Sequence, residues 1–463
     1  MNENPLGYES VSKLMVKFSV PSIIGMLVSA LYNIVDQFFI GQGVGTNGNT
    51  ATTIAFPFTT ICMAVALLLG IGGASCFNLT IGRGDVKRAG YFAGNSFTML
   101  IVSGFVISAI TFAFLTPLLK VFGASDNVMP YAQDYVFVSA FGFPFLILTT
   151  GGGHIIRADG SPQITMACNL TGAIINTILD AIFVLVFDWG MKGAALATVI
   201  GQVVSAVIVI VYITKFKTIK LTKKHFIPDF TAIHRVCSIG MASCFNQLAI
   251  AIVQVVLNNS LGHYGELSVY GKDEPIACAG IIMKVNMIVF AIVIGLAQGT
   301  QPIESYNYGA KKYNRVKKAY RLALTTGATI SVIAFILFQI FPRQILSLFG
   351  TGTETYFEFG TRFFRIFLFF TWINCIQPIS STFFTSIGKA IKGVFLSLTR
   401  QILFFIPILL ILPHILGGID GVIYTGPVAD LLSAVVAVAM ILYEFKLMRR
   451  LETNDTGYSA VET

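Results

Sequence analysis

A polytopic all-α membrane protein is the fold class this sequence predicts, with twelve transmembrane helices in two six-helix bundles that repeat one another in parallel. Composition is the first observation behind that expectation. Of 463 residues, 55% are hydrophobic and 11% charged, where soluble domains carry about 25% charged residues; the mean hydropathy is +0.77. The second observation is the length of the apolar runs. A hydrocarbon core about 30 Å thick needs about 20 apolar residues per helix. The chain has twelve such runs, near 18–40, 51–81, 90–116, 131–156, 162–187, 193–214, 236–261, 276–306, 319–341, 356–387, 393–416 and 421–443. The two-residue alternation of an outer-membrane barrel is absent from them. The third is an internal repeat. Ile81-Gly-Arg-Gly-Asp-Val-Lys-Arg aligns with Tyr308-Gly-Ala-Lys-Lys-Tyr-Asn-Arg at a shift of 227, as does Leu118-Leu-Lys-Val-Phe-Gly123 with Ile345-Leu-Ser-Leu-Phe-Gly350. Gln202-Val-Val-Ser-Ala206 aligns with Asp430-Leu-Leu-Ser-Ala434 at 228. Six is an even number, so both halves enter the membrane from one side and are related by an axis along its normal.

Met1 to Lys17 reads as a short polar leader. The first apolar run is too long for the core of a signal peptide, holds Pro21 and Asp36, and lacks an Ala-x-Ala site, so a retained span is expected. Pro21 removes a backbone hydrogen bond and is placed to kink span 1. Asn33, Asp36 and Gln37 lie near the far end of that span, before the tight loop Gly41 to Asn49. In span 2 the Gly70-Ile-Gly-Gly-Ala74 stretch has no phosphate-binding context and reads as close helix packing. His154, at the end of span 4, is expected to be an interfacial histidine. Lys215 to Arg235 is the longest polar, basic segment inside the chain and reads as a linker. The expected division is therefore 1–214, a linker at 215–235, 236–450, and a polar tail at 451–463.

The net charge of +9 is placed asymmetrically. One side collects Lys13, Lys17, Arg83, Lys87, Arg88, Arg157, the 215–235 and 311–321 clusters, Lys389, Lys392, Lys446, Arg449 and Arg450; the other has Lys120, Lys192, Lys272 and Arg343. This is a positive-inside pattern with both termini cytoplasmic, and it sets orientation rather than marking a nucleic-acid partner. The seven cysteines show no CxxC or Cys/His spacing. They read as small packing residues, with neither a disulfide framework nor a metal site. No Ser/His/Asp order, metal cluster or phosphate loop appears in a plausible context, so an enzyme is not expected.

The polar residues inside the apolar runs carry the functional reading. Asn176 and Asp180, four apart, share one helix face in span 5. A carboxylate at bilayer depth costs about 2.5–3.5 kcal/mol on insertion scales, so it needs a partner, a cavity or a cation. Asp36 in span 1 lies about 7–8 Å from the outer end of its helix, Asp180 about 12 Å and Thr198 in span 6 about 9 Å, at 1.5 Å per residue. Two carboxylates, an amide and a hydroxyl at similar depth suit Na⁺, or a proton held between neighbouring carboxyls. A structural network pinning spans 1, 5 and 6 is the alternative. Gln202 lies one turn beyond Thr198. The second half has no matching carboxylate pair; it offers Gln254 and Asn258, Lys284, Arg400 and Asp430. Lys284 and Asp430 both fall near mid-membrane and are candidate counter-ions. Arg362 and Arg365 are expected to snorkel, and Glu304 to face the basic 311–321 loop. Phe58, Met283, Met287, Phe290 and Trp372 are candidates to line a drug cleft.

Over roughly residues 12–450 the chain resembles the multidrug and toxic compound extrusion (MATE) transporters. The resemblance rests on Ser19-Val-Pro21 with Asp36-Gln-Phe-Phe-Ile-Gly41, and on Gly295-Leu-Ala-Gln-Gly-Thr-Gln-Pro302 with Asn307-Tyr-Gly-Ala310. Asn176-x-x-x-Asp180 followed by Gly193-Ala-Ala-Leu-Ala-Thr198 completes it. The Asp36-Gln37 form looks closest to the bacterial MepA-like branch. The resemblance implies two six-helix bundles in a V and export of cationic, amphiphilic small molecules in exchange for inward H⁺ or Na⁺, without a cofactor. It assigns the coupling cation to Asp36, Asn176, Asp180 and Thr198, and bending of span 1 to Pro21. A monomer in the bilayer of a bacterial cytoplasmic membrane is expected. The runner-up is a lipid-linked oligosaccharide flippase of the same superfamily, for which Lys284 and Arg400 are the candidate cavity cations.

Overall fold

The computed structural model describes residues 4–271, 273–348 and 354–459. Lys272 and the Phe349-Gly350 end of the second repeat lie outside them. Twelve of the described helices are long and apolar enough to cross a bilayer, and the chain is a multi-pass membrane protein. They are α1 (Val11–Gly43), α2 (Asn47–Gly82), α3 (Val86–Ala113), α4 (Met129–Ala158), α5 (Pro162–Val186) and α6 (Gly190–Thr214). The second six are α7 (Phe230–Glu266), α8 (Glu274–Gly309), α9 (Tyr313–Ile340), α10 (Glu354–Ser386), α11 (Ala390–Leu416) and α12 (Ile419–Thr453). Every expected run is helical, that of α10 interrupted by a 3-10 turn at Thr371–Ile373, and several extend beyond their apolar stretch because polar caps carry them into the interface. Ser10, Asp85 and Asp229 accept from the backbone N–H of Lys13, Arg88 and Thr231 at the starts of α1, α3 and α7, which satisfies donors a helix start leaves free. At the end of α11, Gly417 takes φ 85°, the left-handed cap that favours glycine.

The leader is not loose. Asn307 and Arg315 donate to the Leu6 carbonyl at 2.9 and 3.0 Å, and Lys312 to that of Gly7 at 3.0 Å. Leu6, Val11, Leu14, Met15 and Phe18 belong to a core shared with α8–α10 and α12. The start of α1 is thus fastened to the second half, while its outer end reaches Val184 of α5 through Gly43.

The two halves meet on the face that carries the described chain ends. A Cβ on Gly295 or Gly299 of α8 would lie 2.6 Å from the Cα of Ile23 and 2.5 Å from that of Ser19 on α1. Gly72 of α2 and Gly240 of α7 similarly press their backbones on Val236 and Leu68. Only glycine permits helix axes this close. Gln301 donates to Ser75 Oγ at 2.8 Å beside these contacts. Further along α8, Lys284 lies eleven residues before Gly295, which at about 100° per residue returns it to the same face; there it is exposed. The packed face has opened by that level.

The segment between α6 and α7 is held by one buried carboxylate. Asp159, 3% exposed, accepts from the backbone N–H of Lys217 and Thr218 at 2.7 and 2.8 Å and from the Tyr212 hydroxyl at 2.8 Å. Each buried donor left unpaired costs about 1–3 kcal/mol. Asp159→Ala is therefore expected to release the first residues after α6 and speed tryptic cleavage at Lys215 and Lys217, with the spans intact; unchanged cleavage would contradict this role.

Candidate cation site and cleft residues

Asn176 and Asp180 end the α-helical part of α5, and the chain then changes to π-helical hydrogen bonding over Ala181–Val186. Such a change re-aims side chains and is common at functional sites. Both residues are buried, at 2% and 0% exposed, as are Asp36 on α1 and Thr198 on α6, each at 8%. Asn176 Nδ2 donates to Thr198 Oγ1 at 3.1 Å. The carboxyls of Asp36 and Asp180 stand beside each other, with Asn176 next to Asp180. The four residues that the sequence singles out are therefore in one place.

Two carboxylates cannot donate to one another. Asp36 Oδ1, both Asp180 oxygens and Asn176 Oδ1 have no hydrogen-bond donor among the described residues. A buried ion without a partner costs several kcal/mol, a cost that a proton or a small cation shared by these oxygens would offset. Two tyrosines complete the surroundings. The Tyr32 hydroxyl meets Thr198, and both Tyr32 and Tyr135 of α4 lie close to the two carboxyls. Tyr32 was detectable from sequence as the residue one turn before Asp36; Tyr135 carries no such signal. Gln202 turns the other way, toward Gly142 of α4, and Gln37 is exposed.

The cluster lies behind α1 as seen from the second half. Asp36 is thirteen residues from Ile23, about 140° round the helix from the face that packs on α8. α1 itself stays helical through Pro21. Ser22, Ser29 and Asn33 donate to the carbonyls four residues back, at 2.7, 3.0 and 2.7 Å, and such bonds favour bending.

In the second half, the structure corrects the expected pairing of Lys284 with Asp430. Asp430 is 3% exposed and accepts from Arg400 Nε at 2.6 Å, because α11 turns π-helical over Thr399–Phe405 and swings the guanidinium toward α12. Phe290 stands 5.9 Å from the same guanidinium. Gln254 donates to Asn258 at 3.1 Å along α7. Of the expected cleft-lining residues, Phe58 is buried against Phe122 in the core of the first half and Met283 packs on the core around Phe359 and Phe363; Met287 and Trp372 are 40% and 41% exposed. Glu304 does not face the basic loop but is buried beside Ser386. Arg362 pairs with Asp420 at 2.9 Å. His154 and Arg157 are buried together at 3.2 Å rather than interfacial. Lys389 and Lys392, counted above as loop charges, both pair with the buried Glu444 of α12, Lys392 at 2.7 Å.

Twelve spans in two repeated sixes, joined tightly on one face and holding a buried acid pair behind a helix shared by both, define a secondary transporter. The MatE family model matches residues 21–182 and 242–411, and the chain belongs to that family. It is 26% identical over 454 residues to the Multidrug export protein MepA of Staphylococcus haemolyticus, covering 98% of this chain and 97% of that protein. It is 28% identical over 452 residues to MepA of Staphylococcus aureus, covering 96% of each. Among solved structures, the MATE multidrug transporter DinF-BH is 33% identical, with a TM-score of 0.87 over 94% of this chain and 96% of that one. A MATE protein in its straight conformation shares the fold at a TM-score of 0.90 and 22% identity, over 97% and 99%.

Proposed function

We propose that this protein exports cationic, amphiphilic small molecules by exchange for H⁺ or Na⁺ moving inward, with the cation held by Asp36, Asn176, Asp180 and Thr198. The observation that carries this is the set of four buried oxygens without donors, gathered from α1 and α5. The named relatives are export proteins, which supports the substrate class. By the positive-inside pattern, the face bearing the described chain ends is cytoplasmic; we further take the molecule to sit as a monomer in a bacterial cytoplasmic membrane. Two lobes, 1–214 and 236–450, rock about the linker at 215–235, and the arrangement seen is closed on the cytoplasmic side.

α1 couples the two events. Its inward-turned side holds Asp36 and its other side borders the second lobe. Cation binding neutralises the acid pair and lets α1 bend near Pro21, which changes the wall of the cleft and lowers drug affinity. Coupling requires the cation to bind the two lobe arrangements unequally, since equal affinity shifts nothing. Each pH unit of a proton gradient supplies about 1.4 kcal/mol. The flippase alternative needs a cavity lined with free cations. Arg400 is engaged by Asp430, which leaves Lys284 alone in that role.

Efflux of a fluorescent cationic dye from proteoliposomes, with H⁺ and Na⁺ gradients imposed separately, tests the proposal. One gradient is expected to drive efflux at least tenfold above the leak. Efflux indifferent to both would sink the exchange mechanism.

A further inference from the structure

A second site lies far from the acid pair, on the face that carries the described chain ends. A cavity of about 440 Å³ opens between α2, α3 and α7. Its mouth is lined by Arg83, Arg88 and Arg235 with Asp85, three guanidiniums against one carboxylate, and its wall by Leu79, Phe92 and Ile239. None of the three arginines has an ion-pair partner among the described residues. Arg83 and Arg235 come from different halves, yet both lie near Cys76. Beside the cavity the entry to α7 exposes Ile227, in the preceding loop, and Phe230, its first residue, at 62% and 84%, apolar side chains that suit the level of lipid headgroups.

We propose that this cavity binds the phosphate headgroup of an anionic phospholipid. Guanidiniums recognise phosphate through charge-assisted, often paired hydrogen bonds, and basic pockets between spans on the cytoplasmic side suit anionic headgroups. The apolar wall behind them fits the glycerol and first acyl carbons, which free phosphate lacks. Because the cations come from both halves, the complete site exists only while α2 and α7 are closed on this face. The bound lipid therefore favours this arrangement over one opened to the cytoplasm, by its difference in affinity between the two. That consequence alone rests on the rocking motion proposed above; the binding does not.

The test is native mass spectrometry of the full-length protein released from nanodiscs of mixed phosphatidylglycerol and phosphatidylcholine. One phosphatidylglycerol is expected to be retained in preference to phosphatidylcholine. The double variant Arg83→Gln/Arg235→Gln is expected to lose at least tenfold of that preference. Lys223→Gln/Lys224→Gln, which removes the same charge outside the cavity, is expected to keep it. Equal retention of both lipids, equal loss in the lysine variant, or displacement by millimolar inorganic phosphate would each overturn the lipid site. Dye efflux measured on the same arginine variant separates the two proposals: lost lipid with persisting efflux leaves the exporter reading intact.

Discussion

Asp180→Asn is expected to reduce ion-driven efflux at least tenfold while leaving a folded protein, and Asp36→Asn to do the same. The substitution keeps the shape of the side chain and removes its charge. Asp180 is fully buried and both its oxygens lack donors, so neutralising it removes a desolvation penalty and no hydrogen bond made in the structure. Thermal stability should therefore hold or rise. Coupling should fail, because a neutral amide cannot bind H⁺ and is a weaker partner for Na⁺. Residues that act as one unit are strongly non-additive, so the double variant should be little worse than either single one. Thr198→Ala and Tyr32→Phe should cost less, since they leave both carboxyls in place. The measurements are dye efflux under an imposed gradient and Tm in detergent. If Asp180→Asn transported normally, or if both activity and Tm collapsed together, the cluster would be a structural brace and not the coupling site.

How much of this was legible in the sequence follows from the range of the interactions involved. The spans are written locally, since a run of about 20 apolar residues has one fate in a bilayer; their lengthening by the caps Ser10, Asp85 and Asp229 shows only in the structure. The acid pair was legible because a carboxylate in hydrocarbon demands an explanation, and Asn176 with Asp180 shows a helical spacing. Two kinds of feature were not legible. The π-helical turns after Asp180 and around Arg400 leave no sequence signature, yet they decide which way those side chains face. Tertiary partners chosen across the bundle are equally silent. Depth alone ranked Lys284 with Asp430, but depth says nothing about which face of α8 turns to α12, and Arg400 was in reach. The same blindness made Phe58 a cleft residue when its face is core, and counted Lys389, Lys392 and Arg157 as loop charges when buried partners wait for them.

Arg400→Met is the substitution expected to cost most stability. It leaves Asp430, 3% exposed and bonded at 2.6 Å in the native protein, as an uncompensated carboxylate in an apolar bundle. Breaking a buried pair from one side costs about 3–5 kcal/mol, whereas replacing both partners by apolar groups is often neutral or better. Asp430→Leu alone should strand the guanidinium in turn, though less severely, because Arg400 is somewhat more exposed and has a long stem with which to move outward. Arg400→Met/Asp430→Leu should recover most of the loss. A thermal-unfolding cycle of the three variants gives the coupling directly. Lys284→Met is the control: exposed and with no ion pair among the described residues, it should leave Tm unchanged. Were Lys284→Met to destabilise as much as Arg400→Met, Asp430 would have two counter-ions and the assignment of the pair to α11 and α12 would fail. Recovery in the double variant together with retained dye efflux would mark the pair as a fastening between two helices. Recovery of Tm without efflux would instead place its charge in the transport cycle.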